Sequence, residues 1–149
     1  MINGRIICTV NTDASFNSQR DTGGYAIWIR CDEVVVKYWG QFQGKVSDSN
    51  ECEIKAVVNA LSIVLRHNIK CDAVCINCDN STLRNAVNHK QVPKRFETEI
   101  QKLHELMDKF DKVYAKTIKG HTNKTSPRDY VNRWCDEMSR EYLKHIKNE

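Results

Sequence analysis

The chain has 149 residues and a mass of 17.3 kDa, which is the size of one domain, with 40% hydrophobic and 28% charged residues. It contains only 2 Pro and 6 Gly, and no apolar run long enough to cross a bilayer. Composition therefore excludes disordered, fibrous and membrane-spanning classes. The net charge of +4 gives weak support for a polyanionic partner.

The seven cysteines predict reduced thiols and not a disulfide scaffold. Their number is odd, and Met1 to Val10 lack the apolar core of a signal peptide, so we expect a cytoplasmic protein. Cys71, Cys75 and Cys78 could suggest zinc. Cys75 and Cys78 lie on opposite faces of one predicted strand, however, which favours buried thiols that act as small hydrophobes.

Periodicity in the sequence predicts nine elements in the order βββαβααβα. Five segments rich in β-branched residues predict strands over Arg5–Thr12, Thr22–Arg30, Glu33–Phe42, Asp72–Cys78 and Lys112–Ile118. Apolar residues at helical spacing predict three long helices with stripes that begin at Ile54, Phe96 and Val131, and a shorter helix starts near Ser81.

This order predicts an α/β fold. Three strands joined by short turns favour an antiparallel meander, and strands reached through helices add in parallel by right-handed crossovers. The result is a mixed five-stranded sheet flanked by helices. Asn50 and Glu53 have the spacing of a capping box at the start of the first long helix, and Ser126 with Pro127 marks the start of the last.

Four acids fall at strand ends or within helices. Asp13 directly follows the first predicted strand and Asp79 the fourth, while Glu53 lies in a helix's first turn and Asp136 about two turns into the last helix. If the two strands are neighbours, Asp13 and Asp79 meet at the carboxyl edge of the sheet, where α/β proteins present functional groups. Converging acids would repel unless cations lay among them.

Such a cluster would suit two Mg²⁺ ions, with Mn²⁺ as a possible substitute, which could activate a water and stabilise the leaving oxygen of a phosphodiester. Each acid also has a purely structural interpretation. Asp13 could occupy a turn, Glu53 could belong to the capping box, Asp79 could cap the next helix and Asp136 could be solvated. Spacing alone leaves these alternatives open.

Six blocks, in order along nearly the whole chain, resemble the ribonuclease H family, type 1. The blocks are Thr12–Ser15 (TDAS), Gly23–Ala26 (GGYA), Glu53–Leu61 (EIKAVVNAL), Cys78–Ser81 (CDNS), Lys119–Thr122 (KGHT) and Asn132–Glu137 (NRWCDE). The resemblance implies one ribonuclease H domain over residues 1–149. It also implies Mg²⁺-dependent endonucleolytic cleavage of the RNA strand of an RNA–DNA hybrid, which leaves 5′-phosphate and 3′-hydroxyl ends.

The resemblance also assigns roles to residues. It implies that the four metal-binding carboxylates are Asp13, Glu53, Asp79 and Asp136; Glu51 competes for the helix position, but Ala56 and Leu61 keep family register with Glu53. It further matches His121 to a histidine thought to move protons or help product leave, a role that suits a side chain titrating near neutral pH. An exposed loop histidine is the alternative.

Substrate contacts are implied at several polar residues, namely Ser15, Gln19, Ser49, Asn50 and Asn80. Lys124 could contact a phosphate of the substrate or belong to a solvated charge pair. Ser49 and Asn50 could equally cap a helix, and Gln19 could lie on a loop surface. The segment 88–94 is too short for the basic protrusion with which some family members grip the hybrid, and the segment from His121 to Asp136 is long.

We expect a monomeric enzyme that acts on RNA–DNA hybrids and not on membranes. The alternatives are a ribonuclease H-fold nuclease that acts on structured DNA and a non-catalytic nucleic-acid-binding module.

Overall fold

The structure, a computed structural model, describes residues 5–117 and 127–146, which contain five strands, five α-helices and a short 3-10 helix at Lys94–Phe96. The strands are β1 (Ile7–Asn17), β2 (Thr22–Cys31), β3 (Val34–Gln41), β4 (Ala73–Cys78) and β5 (Val113–Thr117). The helices are α1 (Ser49–Arg66), α2 (Ser81–Val87), α3 (Glu97–Met107), α4 (Pro127–Ser139) and α5 (Leu143–Ile146). Within these ranges no helix is both long and apolar enough to cross a bilayer.

The strands form one sheet in the order β3-β2-β1-β4-β5. β1 pairs antiparallel with β2, and β2 antiparallel with β3, whereas β4 runs parallel to both β1 and β5. The predicted mixed sheet is therefore confirmed. Because β1 and β4 are adjacent and parallel, their carboxyl ends meet at the same edge.

The first strand extends further than the sequence predicts. Its antiparallel ladder with β2 continues to the pair Asn17–Thr22, whereas its parallel ladder with β4 stops at Asn11–Asn77. Asp13 therefore lies inside β1, opposite Ala26, and the expectation that it directly follows the strand is wrong. The alternative of a turn residue is excluded for the same reason, because β2 holds the backbone of Asp13 extended.

One face of the sheet is covered by α1. The apolar stripe of this helix, predicted from Ile54 onward, is buried in the same core as Val10 and Ile27 of the sheet and Leu103 of α3. Each of these aliphatic side chains is fully buried, and each such burial contributes about 1.5–3 kcal/mol to folding. The packing thus fixes which side of α1 faces the sheet, and with it the direction of Glu53.

The start of α1 differs from the predicted capping box. Asp48 is the N-cap, and its Oδ1 accepts from the backbone N–H of Glu51 over 2.8 Å. The Glu51 carboxylate turns back to accept from Ser47, at 3.1 Å from its hydroxyl and 3.3 Å from its backbone N–H. The Asn50–Glu53 capping box is therefore wrong: Glu51 serves the helix start, which leaves Glu53 available for another role.

The other face of the sheet is covered by α4. Trp134 of this helix packs edge-on against Trp28 of β2 with ring centroids 5.4 Å apart, and Cys135 donates to the backbone oxygen of Asn11 of β1 over 3.8 Å. Near the end of the helix, the hydroxyl of Ser15 donates to the backbone oxygen of Ser139 over 2.7 Å. These contacts hold α4 across the carboxyl-terminal half of β1.

Gly24 lies in close contact with the end of α4, and we predict that Gly24→Ala lowers the free energy of unfolding by about 1–3 kcal/mol. A Cβ atom there would collide with the backbone oxygen of Ser139 and the ring of Tyr142. Urea denaturation measures the loss. Gly40→Ala is the control, because its Cβ would contact only the Tyr25 side chain, at 3.1 Å from the hydroxyl. Equal losses in the two variants would contradict this account of the helix–sheet contact.

Candidate active site

The site is founded on the two central parallel strands. Asp13 lies two residues beyond the last β1–β4 pair, and Asp79 directly follows β4. Below them, Asn77 Nδ2 donates to Asn11 Oδ1 over 3.0 Å, and both asparagines are buried. Since alternate residues of a strand share a face, Asn11 lies on the same face of β1 as Asp13. This hydrogen bond between side-chain amides joins the two strands directly beneath the acids.

Two helices supply the other acids. Glu53 projects from the first part of α1 and is half-buried, whereas Asp136 lies in the second half of α4 and is exposed. Asn80, and not Asp79, caps α2: its Oδ1 accepts from the backbone N–H of Leu83 over 2.9 Å. The capping interpretations of Glu53 and Asp79 are therefore both wrong.

The four acids interact electrostatically. The pKa of Glu53 is raised to about 8, first by burial and then by the charges of Asp13 and Asp79. The pKa of Asp13 is raised to about 6, first by burial, with smaller contributions from the charges of Asp136 and Asp79. The backbone N–H of Ala14 opposes this shift by donating to Asp13 Oδ1 over 2.9 Å. Every one of the four thus acts on another, although they are distant in sequence.

Arg140 is a cation at the exposed side of the cluster, just past the end of α4. Its Nη2 donates to Asp136 Oδ2 over 2.8 Å, and its charge also lowers the pKa of Asp13. Both partners are more than half exposed, so the pair contributes little to folding. It does, however, engage one oxygen of Asp136 in a direction set by the helix.

The donor chemistry of the cluster fits a hard divalent cation. Carboxylate oxygens are the ligands that Mg²⁺ and Mn²⁺ prefer, and a cation would relieve the repulsion that adds to the effect of burial on the two pKa values. As the side chains stand, no three His, Cys, Asp or Glu residues within 5–117 and 127–146 converge closely enough to hold one ion. Coulomb repulsion acts over several ångströms, whereas Mg²⁺ ligation needs about 2.1 Å, so coupled acids can remain apart without a cation.

The predicted substrate-contact residues are distributed as follows. Asn80 Nδ2 donates to Asn50 Oδ1 over 2.9 Å, which joins the starts of α1 and α2 beside the acids. The hydroxyl of Ser15 is already engaged with Ser139, and Ser49 and Gln19 are exposed. His121 and Lys124, like the predicted cap Ser126, lie outside the described residues.

Sequence reasoning missed three residues that shape this site. Asn11 and Asn77 interrupt apolar strand segments, and a polar residue at a predicted core position was the signal that could have revealed their mutual hydrogen bond. Arg140 follows Asp136 by four positions on a predicted helix, which is the spacing of an intrahelical ion pair.

Comparison with known proteins identifies the family. The model of the family described as "Reverse transcriptase-like" matches residues 11–126. The chain therefore belongs to this family, and the resemblance of its sequence blocks to ribonuclease H is confirmed. No protein of curated function matches the sequence.

Solved structures share the fold. The N-terminal ribonuclease H domain of a Mycobacterium tuberculosis protein has a TM-score of 0.74 at 9% identity, over 96% of this chain and 97% of that chain. Ribonuclease H1 of the archaeon Halobacterium salinarum has a TM-score of 0.72 at 13% identity, over 93% and 98%. LC11-RNase H1, in complex with an RNA/DNA hybrid, has a TM-score of 0.69 at 12% identity, over 90% and 94%. The chain thus has the ribonuclease H fold.

The raised pKa of Glu53 predicts that Glu53→Gln stabilises the protein at high pH in the absence of divalent ions. In the unfolded chain a Glu ionises near pH 4.3, whereas the folded protein retains this proton until about pH 8. Wild-type stability therefore falls as the pH rises through this window, and the variant, which has no proton to release there, is spared that loss.

Urea midpoints measured in chelator at pH 5 and pH 8 test this. The advantage of Glu53→Gln should be larger at pH 8. Glu105→Gln, on the exposed side of α3, is the matched control, and its urea midpoint should differ from that of the wild type by the same amount at both pH values. If the urea midpoint of the wild type rose relative to that of Glu53→Gln between pH 5 and pH 8, the raised pKa of Glu53 would be contradicted.

Proposed function

We propose that this protein is a monomeric cytoplasmic ribonuclease H that cleaves the RNA strand of RNA–DNA hybrids endonucleolytically with Mg²⁺, leaving 5′-phosphate and 3′-hydroxyl ends. The observation that carries the proposal is the electrostatic coupling of Asp13, Glu53, Asp79 and Asp136 at the carboxyl edge of β1 and β4. The hybrid bound by LC11-RNase H1, a protein of the same fold, supports this substrate.

In this proposal the four carboxylates hold two divalent ions, which activate water and neutralise charge on the leaving oxygen. Asp13 and Asp79 are fixed by adjacent strands and by the Asn11–Asn77 bond beneath them. Glu53 is directed by the buried stripe of α1. Asp136 is oriented by its ion pair with Arg140 and would supply a further carboxylate to the ions. His121 moves a proton or assists product release.

Recognition of the RNA strand falls to the amides at the starts of α1 and α2. Both polar atoms of the Asn80 side chain form hydrogen bonds, because its Oδ1 caps α2 and its Nδ2 donates to Asn50. That bond orients the Asn50 side chain and leaves its Nδ2 without an acceptor among the residues the structure describes. An oriented amide donor beside the carboxylates suits a 2′-hydroxyl, the group that distinguishes RNA from DNA. Ser49, Gln19, Ser15 and Lys124 complete the proposed contact surface.

Asp79→Asn tests the metal-ligand role. The substitution removes a charge while keeping the shape of an exposed side chain, so the fold should persist while cleavage of a hybrid with Mg²⁺ falls at least about 100-fold. Initial rates on an end-labelled hybrid measure the effect. Asp111→Asn, an exposed acid at the opposite end of the sheet, should cleave like wild type. Activity of Asp79→Asn close to that of wild type would remove the assignment.

The substrate class is tested by parallel digestion of hybrid, single-stranded RNA, duplex RNA, duplex DNA and a DNA junction, each with Mg²⁺ or chelator. The proposal expects cleavage of the hybrid alone, in its RNA strand and only with the ion. Preferential cleavage of the junction would instead identify a nuclease for structured DNA. Hybrid binding without cleavage under any divalent ion would identify a non-catalytic binding module.

A further inference from the structure

A groove lies on the α1 side of the sheet, and none of the four carboxylates lines it. It lies between β3, α1 and α3 and has a volume of about 610 Å³. We call it the α1 groove and define it by the side chains that matter here: Tyr38, Lys55, Asn59, Ser62, Arg66 and Lys102. Its volume is that of a site for a small ligand, so it can take a segment of one strand but not a double helix.

The α1 groove carries an excess of positive charge. Lys55, Arg66 and Lys102 line it together with one acid, Glu99. Within the described part of the chain none of these three cations forms an ion pair, whereas Arg95 is paired with Asp48 at 2.7 Å and Arg140 with Asp136 at 2.8 Å. Three cations that line a groove with a single acid attract an anionic ligand.

The polar side chains are spaced along the groove. Lys55, Asn59, Ser62 and Arg66 lie at positions i, i+4, i+7 and i+11 of α1, which places them in one row on the helix. At about 1.5 Å of rise per residue the row is roughly 16 Å long. A stacked strand rises roughly 3.4 Å per nucleotide, so the row matches about five nucleotides. Such a repeat of donors suits a chain of phosphates better than a single anion.

One wall of the groove is aromatic. Tyr38 of β3 is 39% exposed, and its ring meets His67 edge-on with centroids 6.1 Å apart. That contact holds the ring in place and leaves part of it open to the groove. A fixed, exposed aromatic ring beside a row of cations is the combination on which bases of single-stranded nucleic acids stack while their phosphates are neutralised.

We propose that the α1 groove binds a single-stranded segment of nucleic acid, separately from the carboxylate cluster. The choice of nucleic acid over an acidic peptide rests on the proposed function, because a hybrid at the carboxylates brings single-stranded extensions close to the groove. Lys55 follows Glu53 by only two positions on α1, on the opposite flank of the helix. The groove would thereby supply grip that the short segment 88–94 lacks.

Fluorescence anisotropy with a labelled 12-nucleotide oligo-dT, in chelator and over a range of salt, tests the proposal. Arg66→Glu with Lys102→Glu should weaken binding at least about tenfold and flatten the slope of log K against log salt by about 0.7 for each phosphate that the variant no longer neutralises. The control pair, Lys109→Glu with Lys112→Glu, makes the same charge change at two residues that do not line the groove and should weaken binding no more than about twofold. Equal weakening by both pairs would overturn the proposal.

Two further measurements sharpen the result. Tyr38→Leu should weaken oligo-dT binding about fivefold or more if a base stacks on the ring. Because this variant leaves the charge of the groove unchanged, it also tests the proposal if the double variant fails to fold. Competition by a poly-glutamate peptide as strong as that by unlabelled oligo-dT would overturn the choice of ligand in favour of an acidic peptide. Cleavage of a blunt-ended hybrid is measured with the same variants. Unchanged cleavage with abolished oligo-dT binding supports a groove separate from the carboxylates. Oligo-dT binding at the wild-type level by Arg66→Glu with Lys102→Glu refutes the proposal, whatever the cleavage rate.

Discussion

Repulsion among four carboxylates is the constraint around which this molecule is arranged. Two of them, Asp13 and Glu53, are half-buried, and each has its pKa raised by burial and by the charges of its neighbours. Groups held in this way oppose folding at neutral pH, so the surrounding packing must hold them in position. Strongly perturbed acids gathered at one sheet edge are typical of functional sites, where stability is given up for chemistry.

The framework that holds the acids is stiff at each point of attachment. The adjacent strands β1 and β4 are joined by a buried hydrogen bond between two asparagine side chains, directly below Asp13 and Asp79. The apolar stripe of α1 fixes the rotation of that helix, and Asp48 with Glu51 fixes its start. On the other face, close contact between Gly24 and Ser139 brings α4 down onto the sheet. Asp13, Glu53 and Asp136 thus project from regular elements, and Asp79 directly follows one.

The sequence predicted the elements and their order because hydrophobic periodicity reports burial directly. It placed the end of β1 too early, because the extra length of that strand is stabilised only by pairing with β2, which local pattern does not reveal. It assigned the helix cap to Asn50, since two overlapping acids, Glu51 and Glu53, both fit the spacing of a capping box. Only the tertiary position of α1 separates the acid that caps the helix from the one that faces the sheet.

The electrostatic coupling of the four acids was beyond local pattern, because it depends on which strands are neighbours. The family resemblance predicted that these acids act together. The pairing of Asn11 with Asn77 and the position of Arg140 beside Asp136 depend on the same long-range arrangement. The α1 groove was also missed, since its cations come from two helices and its aromatic wall from an edge strand. Local sequence gives the chemistry of such a groove but not its assembly.

The central claim is that these carboxylates, separated along the chain, hold divalent cations together. Anomalous diffraction from a crystal soaked in MnCl₂ tests it most directly. The account predicts manganese peaks at about 2.1 Å from carboxylate oxygens of Asp13 and Asp79, with Glu53 and Asp136 completing the ligands. A soaked crystal without manganese at these oxygens, and with the four carboxylates still apart, would contradict it.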